Sequence, residues 1–173
     1  MTHARYVELA RQETNRVRSV KCELVWTGLG RWRLPFSANP QFHRPEPNSL
    51  RTQPPLNSAL VPDSAGFLYI DRAKFHDAFC KDLPEAEARV MAATQKPLSG
   101  SVFEASVSAA AWKTVPSWYV VSSQDRAINP ELERFYAKRM NAKTSEIASS
   151  HVAFLSHPKE IAKVIEDAAA AIK

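Results

Sequence analysis

Glycine is scarce in this sequence: Gly28, Gly30, Gly66 and Gly100 are all there are in 173 residues. Enzymes built on α/β sheets use glycine wherever a strand turns sharply into a helix around a site, so the shortage limits where such a turn can be. Cysteine is scarcer still, with only Cys22 and Cys80. They have no CxxC spacing and no flanking histidine pair, which argues against a disulfide framework or a zinc site and leaves two free thiols. No apolar run approaches the ~20 residues of a membrane span. The N-terminus, Met1 to Val20, is too polar for a secretory leader, so the expected location is the cytoplasm.

What is present fits one ordinary globular domain, with 45% hydrophobic and 24% charged residues. Charge is unevenly placed. Residues 1–53 hold nine Lys/Arg against four Asp/Glu, and residues 54–173 hold fourteen of each, so the first third supplies the whole net charge of +5. Without aromatic interleaving or a nucleic-acid-binding module, those basic residues read as a solvated segment, and no nucleic-acid partner is expected.

Composition divides the chain into residues 1–62, basic and proline-rich, and residues 63–173, which are regular. Residues 2–20 could form a weakly amphipathic helix, followed by an apolar run at Leu24 to Trp26. Seven of the twelve prolines fall between Pro35 and Pro62, so residues 35–62 read as loop. Phe67 to Ile70 reads as a short strand. Asp71 is placed to cap a helix through Phe75 and Phe79, and Pro84 to open another with Ala86, Val90 and Met91 inward. Both have the look of a cap, about residues 71–111, and Ser99 to Ala111 is ambiguous between helix and loop.

From Pro116 the pattern is clearer. Trp118 to Val121 is a continuous apolar, β-rich run, as expected of a central parallel strand covered on both faces. Asn129 caps a helix with Pro130 at its first position and Leu132, Phe135, Tyr136 and Met140 at helical spacing. Thr144 to Ile147 reads as a more polar edge strand, and Ser156 as the cap of a helix with Ile161, Val164, Ile165, Ala168 and Ile172 on one face. Strand, helix, strand, helix is the order of a parallel α/β sheet, so residues 112–173 should form its sheet region.

Reactive groups of open α/β sheets sit on loops just past the C-terminal ends of strands. Asp125 follows the first of these strands and His151 the second. If the strands are adjacent, the two residues meet at one sheet edge as an Asp–His pair able to activate a hydroxyl nucleophile. An aspartate before a helix is common in turns, and an isolated histidine is more often structural than catalytic. His76 is assigned to a cap helix and His157 to a first helical turn. Trp112 and Trp118 read as core, and Gly28-Leu29-Gly30 is too short a match to a phosphate loop to carry weight.

The segments AWKTVPSWYVVSSQDRAINP (111–130), SSHVAFLSHP (149–158) and DRAKFHDAFCKDLPEAEARVMAATQKPL (71–98) resemble the C-terminal part of small bacterial α/β-hydrolases. The resemblance runs from Leu68 to Lys173. It implies a partial α/β-hydrolase fold with a few-stranded parallel sheet, flanking and cap helices, and an irregular N-terminal third. It also implies Asp125 as triad acid, His151 as triad base, an ester-like small-molecule substrate and no cofactor; no metal is expected from the cysteine pattern. The family's nucleophile belongs upstream of residue 68 in a G-x-S-x-G elbow, and no serine here has glycine at both minus two and plus two. Ser64, in Pro-Asp-Ser-Ala-Gly, matches only the trailing glycine. The oxyanion-hole loop and early strands are likewise missing from residues 1–53, which reads as a truncated or frame-shifted hydrolase tail, inactive alone and open to self-association through an exposed strand edge.

Overall fold

Two small sheets, one parallel and one antiparallel, organise the residues described in this computed structural model, namely 20–21, 53–104 and 110–171. Strand β1 is Val20–Lys21. A 3-10 turn, Pro55–Ala59, leads into β2 (Leu60–Pro62), which folds back antiparallel onto β3 (Phe67–Ile70), with Val61 opposite Tyr69. Strand β4 (Leu98–Ser99) lies on the other side of β3. The end of the proline-rich segment, expected to be loop, therefore contains a strand. Its one proline, Pro62, is tolerated because β2 is three residues long and at the edge of the sheet among the described residues. This antiparallel sheet, which a parallel-sheet reading did not foresee, pairs residues on both sides of the compositional boundary at residue 62.

Helices α1 (Phe75–Phe79) and α2 (Glu85–Thr94) follow. Asp71 does not cap α1. Its carboxylate accepts the N–H of Ala73 at 2.8 Å in a local turn, and the helix begins a turn later, at Phe75. The inward face of α2 is Ala88 and Ala92 with Met91 partly buried, whereas Ala86 is exposed and Val90 is 63% exposed. Residues four apart share a helix face, so once Ala88 packs inward Val90 cannot. In the ambiguous stretch from Ser99 to Ala111, Gly100–Glu104 forms a 3-10 turn and residues 105–109 lie outside the described residues; a second 3-10 turn, Ala111–Lys113, begins at its end.

Strand β5 (Trp118–Ser122) is buried at all five positions, as a strand covered on both faces should be. It lies between β1 and β6 (Lys143–Ile147), parallel to both, with Trp118 opposite Val20 and Ser122 opposite Ile147. The side-chain alternation of the strand divides the core. Tyr119 and Val121 pack on one side against Tyr136, Ala137 and Met140, on and just after α3 (Pro130–Arg139). Val120 packs on the other against Ala153 of α4 (Ala153–Ser156) and Ile161 of α5 (Pro158–Ala170).

Local signals set the ends of α3. The Asn129 side chain accepts the N–H of Glu131, Pro130 occupies the first turn, and Asn141 leaves the helix at φ 50°, a left-handed conformation that asparagine tolerates. The last helix departs from expectation in two ways. Ser156 ends α4 instead of capping α5, whose N-cap is His157, because the segment after His151 has already coiled into a short helix. Ile161 and Ala168 are buried, but Ile165 is 48% exposed and so not part of the inward face. The expected helix over residues 2–20 up to its last residue, the run Leu24 to Trp26, Gly28 to Gly30, residues 35–52, Cys22 and Ile172 lie outside the described residues.

Candidate active site

The loops leaving β5 and β6 are joined by backbone hydrogen bonds. Ser123 N–H donates to Ile147 O at 2.9 Å and Gln124 N–H to Ser149 O at 3.1 Å. Below them Ser149 Oγ donates to Ser122 Oγ at 3.2 Å, and the buried carboxylate of Glu133, on α3, accepts the N–H of Ser122 at 3.1 Å. The two strand ends thus form one platform before any reactive side chain is placed.

Asp125 stands on that platform with its side chain 2% exposed. Its backbone N–H donates to Ser122 O at 3.0 Å. One carboxylate oxygen, Oδ1, accepts the N–H groups of Ala127 at 2.6 Å and Ile128 at 3.0 Å. The other, Oδ2, lies 2.7 Å from Nδ1 of His151, whose side chain is 16% exposed. With Oδ1 occupied by backbone donors, the carboxylate cannot rotate without breaking them, so Oδ2 stays aimed at the imidazole. Donation of Nδ1–H to Oδ2 puts the ring lone pair on Nε2, as a proton acceptor requires.

The segment of α1 and α2 also reaches the His151 loop. The ring of Phe79 lies 4.8 Å from the imidazole, centroid to centroid, tilted by 46°. Ser150 donates its backbone N–H to Asp82 Oδ2 at 2.9 Å and its hydroxyl to Asp82 Oδ1. Partial burial pushes the Asp82 carboxyl up, but hydrogen bonds from Ser150 and Ser156 outweigh it and hold the group below its ordinary value of 3.8. A depressed carboxyl contributes stability that is present above its unfolded value and is lost as pH falls through the lower folded one. Between about pH 5 and about pH 2, the urea midpoint should therefore fall less steeply in Asp82→Asn than in the native chain. Next to it, burial and then the charge of Asp82 push the free thiol of Cys80 up to about 11, so it stays neutral at physiological pH.

Asp125 and His151 are in contact as the strand order predicted. Ser64 is elsewhere, exposed in the turn between β2 and β3. There Asp63 accepts the N–H groups of Ala65 and Phe67, and Gly66 supplies the positive φ of 81° that the turn needs. A strand-to-strand turn is not a strand-to-helix elbow. His76, on α1, bonds Leu83 O through Nε2 at 2.8 Å, and His157 meets Ser156 Oγ through Nδ1 at 2.9 Å. Trp118 is core and Trp112 is partly buried against the Tyr119 cluster. Asp82, Ser150 and Glu133 were missed, and Phe79 was foreseen only as a helix residue. Asp82 reads in sequence as a loop aspartate before Leu83-Pro84, and nothing local indicates a partner 68 positions away. Among the described residues, no group of three or more His, Cys, Asp or Glu side chains is arranged to hold a metal. A shallow hollow of about 520 Å³ lies between β2, β3 and α2, lined by Val61, Tyr69, Arg72 and Gln95 among others and by neither Asp125 nor His151.

The family model described as "Alpha/beta hydrolase family" matches residues 7–164. The chain belongs to the alpha/beta hydrolase family. The match begins far upstream of residue 68, where the resemblance in the sequence begins, and together with β1 it corrects the expectation that residues 1–53 lack the family's early strands. Among solved structures, this alpha/beta hydrolase family member is similar to a pyrethroid hydrolase, PytH, crystallised with BIF. The identity is 21% and the TM-score 0.50, over 75% of this chain and 53% of that one. It is also similar to an extracellular alpha/beta-hydrolase from a Paenibacillus species, described as homologous in structure and function to tobacco salicylic acid binding protein 2. Here the identity is 18% and the TM-score 0.49, over 60% of this chain and 46% of that one. At such identities the first likeness speaks to fold alone. The chain spans about half the length of these structures. No curated protein matches it. Among the described residues, no helix of this family member is long and apolar enough to cross a membrane.

Proposed function

We propose that this alpha/beta hydrolase family chain carries the acid–base half of a site for hydrolysing ester-like small molecules, and that its 173 residues do not form the nucleophile. The observation that supports this reading is the 2.7 Å contact of His151 Nδ1 with Asp125 Oδ2, made by loops leaving adjacent parallel strands at the same end. In this reading Asp125 fixes the imidazole tautomer and stabilises the imidazolium. His151 accepts the proton of a hydroxyl through Nε2 as that hydroxyl attacks an acyl carbon, then returns it to the leaving group. An elbow would have to present the hydroxyl, and Ser64 in its hairpin turn does not. Without nucleophile and oxyanion donors no acyl intermediate forms.

Exposure of the purified chain to a fluorophosphonate probe and a short-chain p-nitrophenyl ester, beside His151→Ala, tests this. The expected result is no labelling, and turnover equal to that of the variant. Labelling that disappears in His151→Ala would overturn the missing nucleophile and establish a complete hydrolase. The absence of a G-x-S-x-G motif from the sequence also favours a second reading, a non-catalytic binding module. In that case an ester analogue raises the melting temperature without being consumed, and β6, at the edge of the described parallel sheet with four exposed positions, is the strand offered to a second chain.

A further inference from the structure

The loop that carries His151 is delivered by the sheet but held by the cap. Ser150, just before it, gives both its backbone N–H and its hydroxyl to the two oxygens of Asp82. Val152, just after it, is 1% exposed in a cluster with Phe75, Cys80 and Leu83. The imidazole itself has Phe79 against its ring. Most of these contacts come from one short stretch, Phe79 to Leu83, running from the last residue of α1 to just before α2, with Phe75, Ala88 and Ala92 completing the Val152 cluster. That stretch is stiffened from within: Cys80 N–H donates to His76 O at 3.2 Å, Leu83 N–H to Cys80 O at 3.0 Å, and His76 Nε2–H to Leu83 O.

We infer that Asp82 is a positioning residue for His151. By holding both donors of Ser150 with its two oxygens, it fixes the backbone from which the imidazole projects, so that Nδ1 stays on Asp125 and Nε2 keeps one direction. A carboxylate that takes an N–H and an O–H of one residue sets rotation as well as position at Ser150, which neither the apolar packing of Val152 nor the hydrogen bonds of Ser149 to the β5 loop does. A base must hold its angle to within about 10–20° to work, which is what a charged two-point clamp supplies. The cap thereby contributes to the geometry of the acid–base pair as well as covering it. The inference rests on reading Asp125 and His151 as that pair.

The test uses the whole chain with labelled histidine and follows the Nδ1–H proton of His151 by NMR. In Asp82→Ala and Asp82→Asn its exchange with water should accelerate by roughly ten- to hundred-fold, the scale of a lost charge-assisted hydrogen bond, while circular dichroism is unchanged. Ser150→Ala, which deletes only the hydroxyl point, should accelerate it less, and Asp82→Glu should recover part of the protection. If Asp82→Ala does not fold, Asp82→Asn and Ser150→Ala carry the measurement. Lowered melting temperatures with unchanged His151 exchange would overturn the positioning role and leave Asp82 a brace. A His151 signal that ignores Asp125→Asn in an otherwise native chain would mean that the pair is not formed. The functional reading would then fall, and the positioning role with it.

Discussion

Tyr119→Ala is expected to cost about 3–5 kcal/mol of folding stability, the range for deleting a fully buried aromatic side chain. Tyr119 is 1% exposed on the middle strand of the parallel sheet, and its ring packs among Val121, Tyr136, Ala137 and Met140. The space it would leave cannot close easily. Helix α3 is held at its start by the Asn129 cap, near its middle by Glu133 on the N–H of Ser122, and on its outer side by the ion pair of Arg134 with Glu146 of β6. A helix fixed at three points cannot slide into a void, so the cavity adds to the lost burial. Domains of this size have ~5–15 kcal/mol in total, so the variant should melt close to working temperature. Urea denaturation followed by tryptophan fluorescence measures the loss. Val90→Ala, on the exposed side of α2, is the control and should stay within about 0.5 kcal/mol. A loss below about 1 kcal/mol for Tyr119→Ala would show that β5 is not the centre of the core.

Legibility in the sequence followed how local the determinant was. Strand β5 was readable because burial on both faces demands an unbroken apolar run, and Trp118 to Val121 supplies one. Helix α3 was readable because Asn129 and Pro130 act on their own neighbours. Asp125 and His151 could be paired on the condition that their strands are adjacent, since residues just past such parallel strands lie at one sheet edge, and β5 and β6 meet that condition. Where the outcome depended on distant partners, local reading was insufficient. Leu60 to Pro62 and Leu98-Ser99 become strands only because β3 accepts them on its two edges, and nothing within three or two residues signals that. Helix α2 turned Ala88 and Ala92 inward because small side chains let it approach α1 closely, so hydrophobicity alone chose the wrong residue in Val90. The clamp of Asp82 on Ser150 was invisible for the same reason, being an interaction between two segments that each look like ordinary loop.

Asp125→Asn and Asp125→Ala should separate the two duties of this carboxylate, one per oxygen. Oδ1 holds the start of the following loop through the N–H groups of Ala127 and Ile128, and Oδ2 holds the imidazole. Alanine removes both and leaves donors without their acceptor beside a buried Ala127, a loss of about 3 kcal/mol in the urea midpoint analysis. Asparagine keeps a carbonyl oxygen for the backbone donors and should cost only about 1 kcal/mol. It turns an N–H donor toward Nδ1, however, and two donors cannot share one hydrogen bond, so the imidazole must expose its lone pair at Nδ1 and carry its proton on Nε2. The nitrogen shifts of His151 should therefore exchange places between the native chain and Asp125→Asn. The Asn variant then has a nearly native fold and a base facing the wrong way. In serine proteases that change of tautomer lowers turnover by about ten-thousand-fold. If His151 keeps its proton on Nδ1 in Asp125→Asn, the carboxylate is only a loop cap and the acid–base reading fails. If the shifts exchange while stability barely moves, Asp125 sets the chemistry of His151 as well as the shape of its own turn.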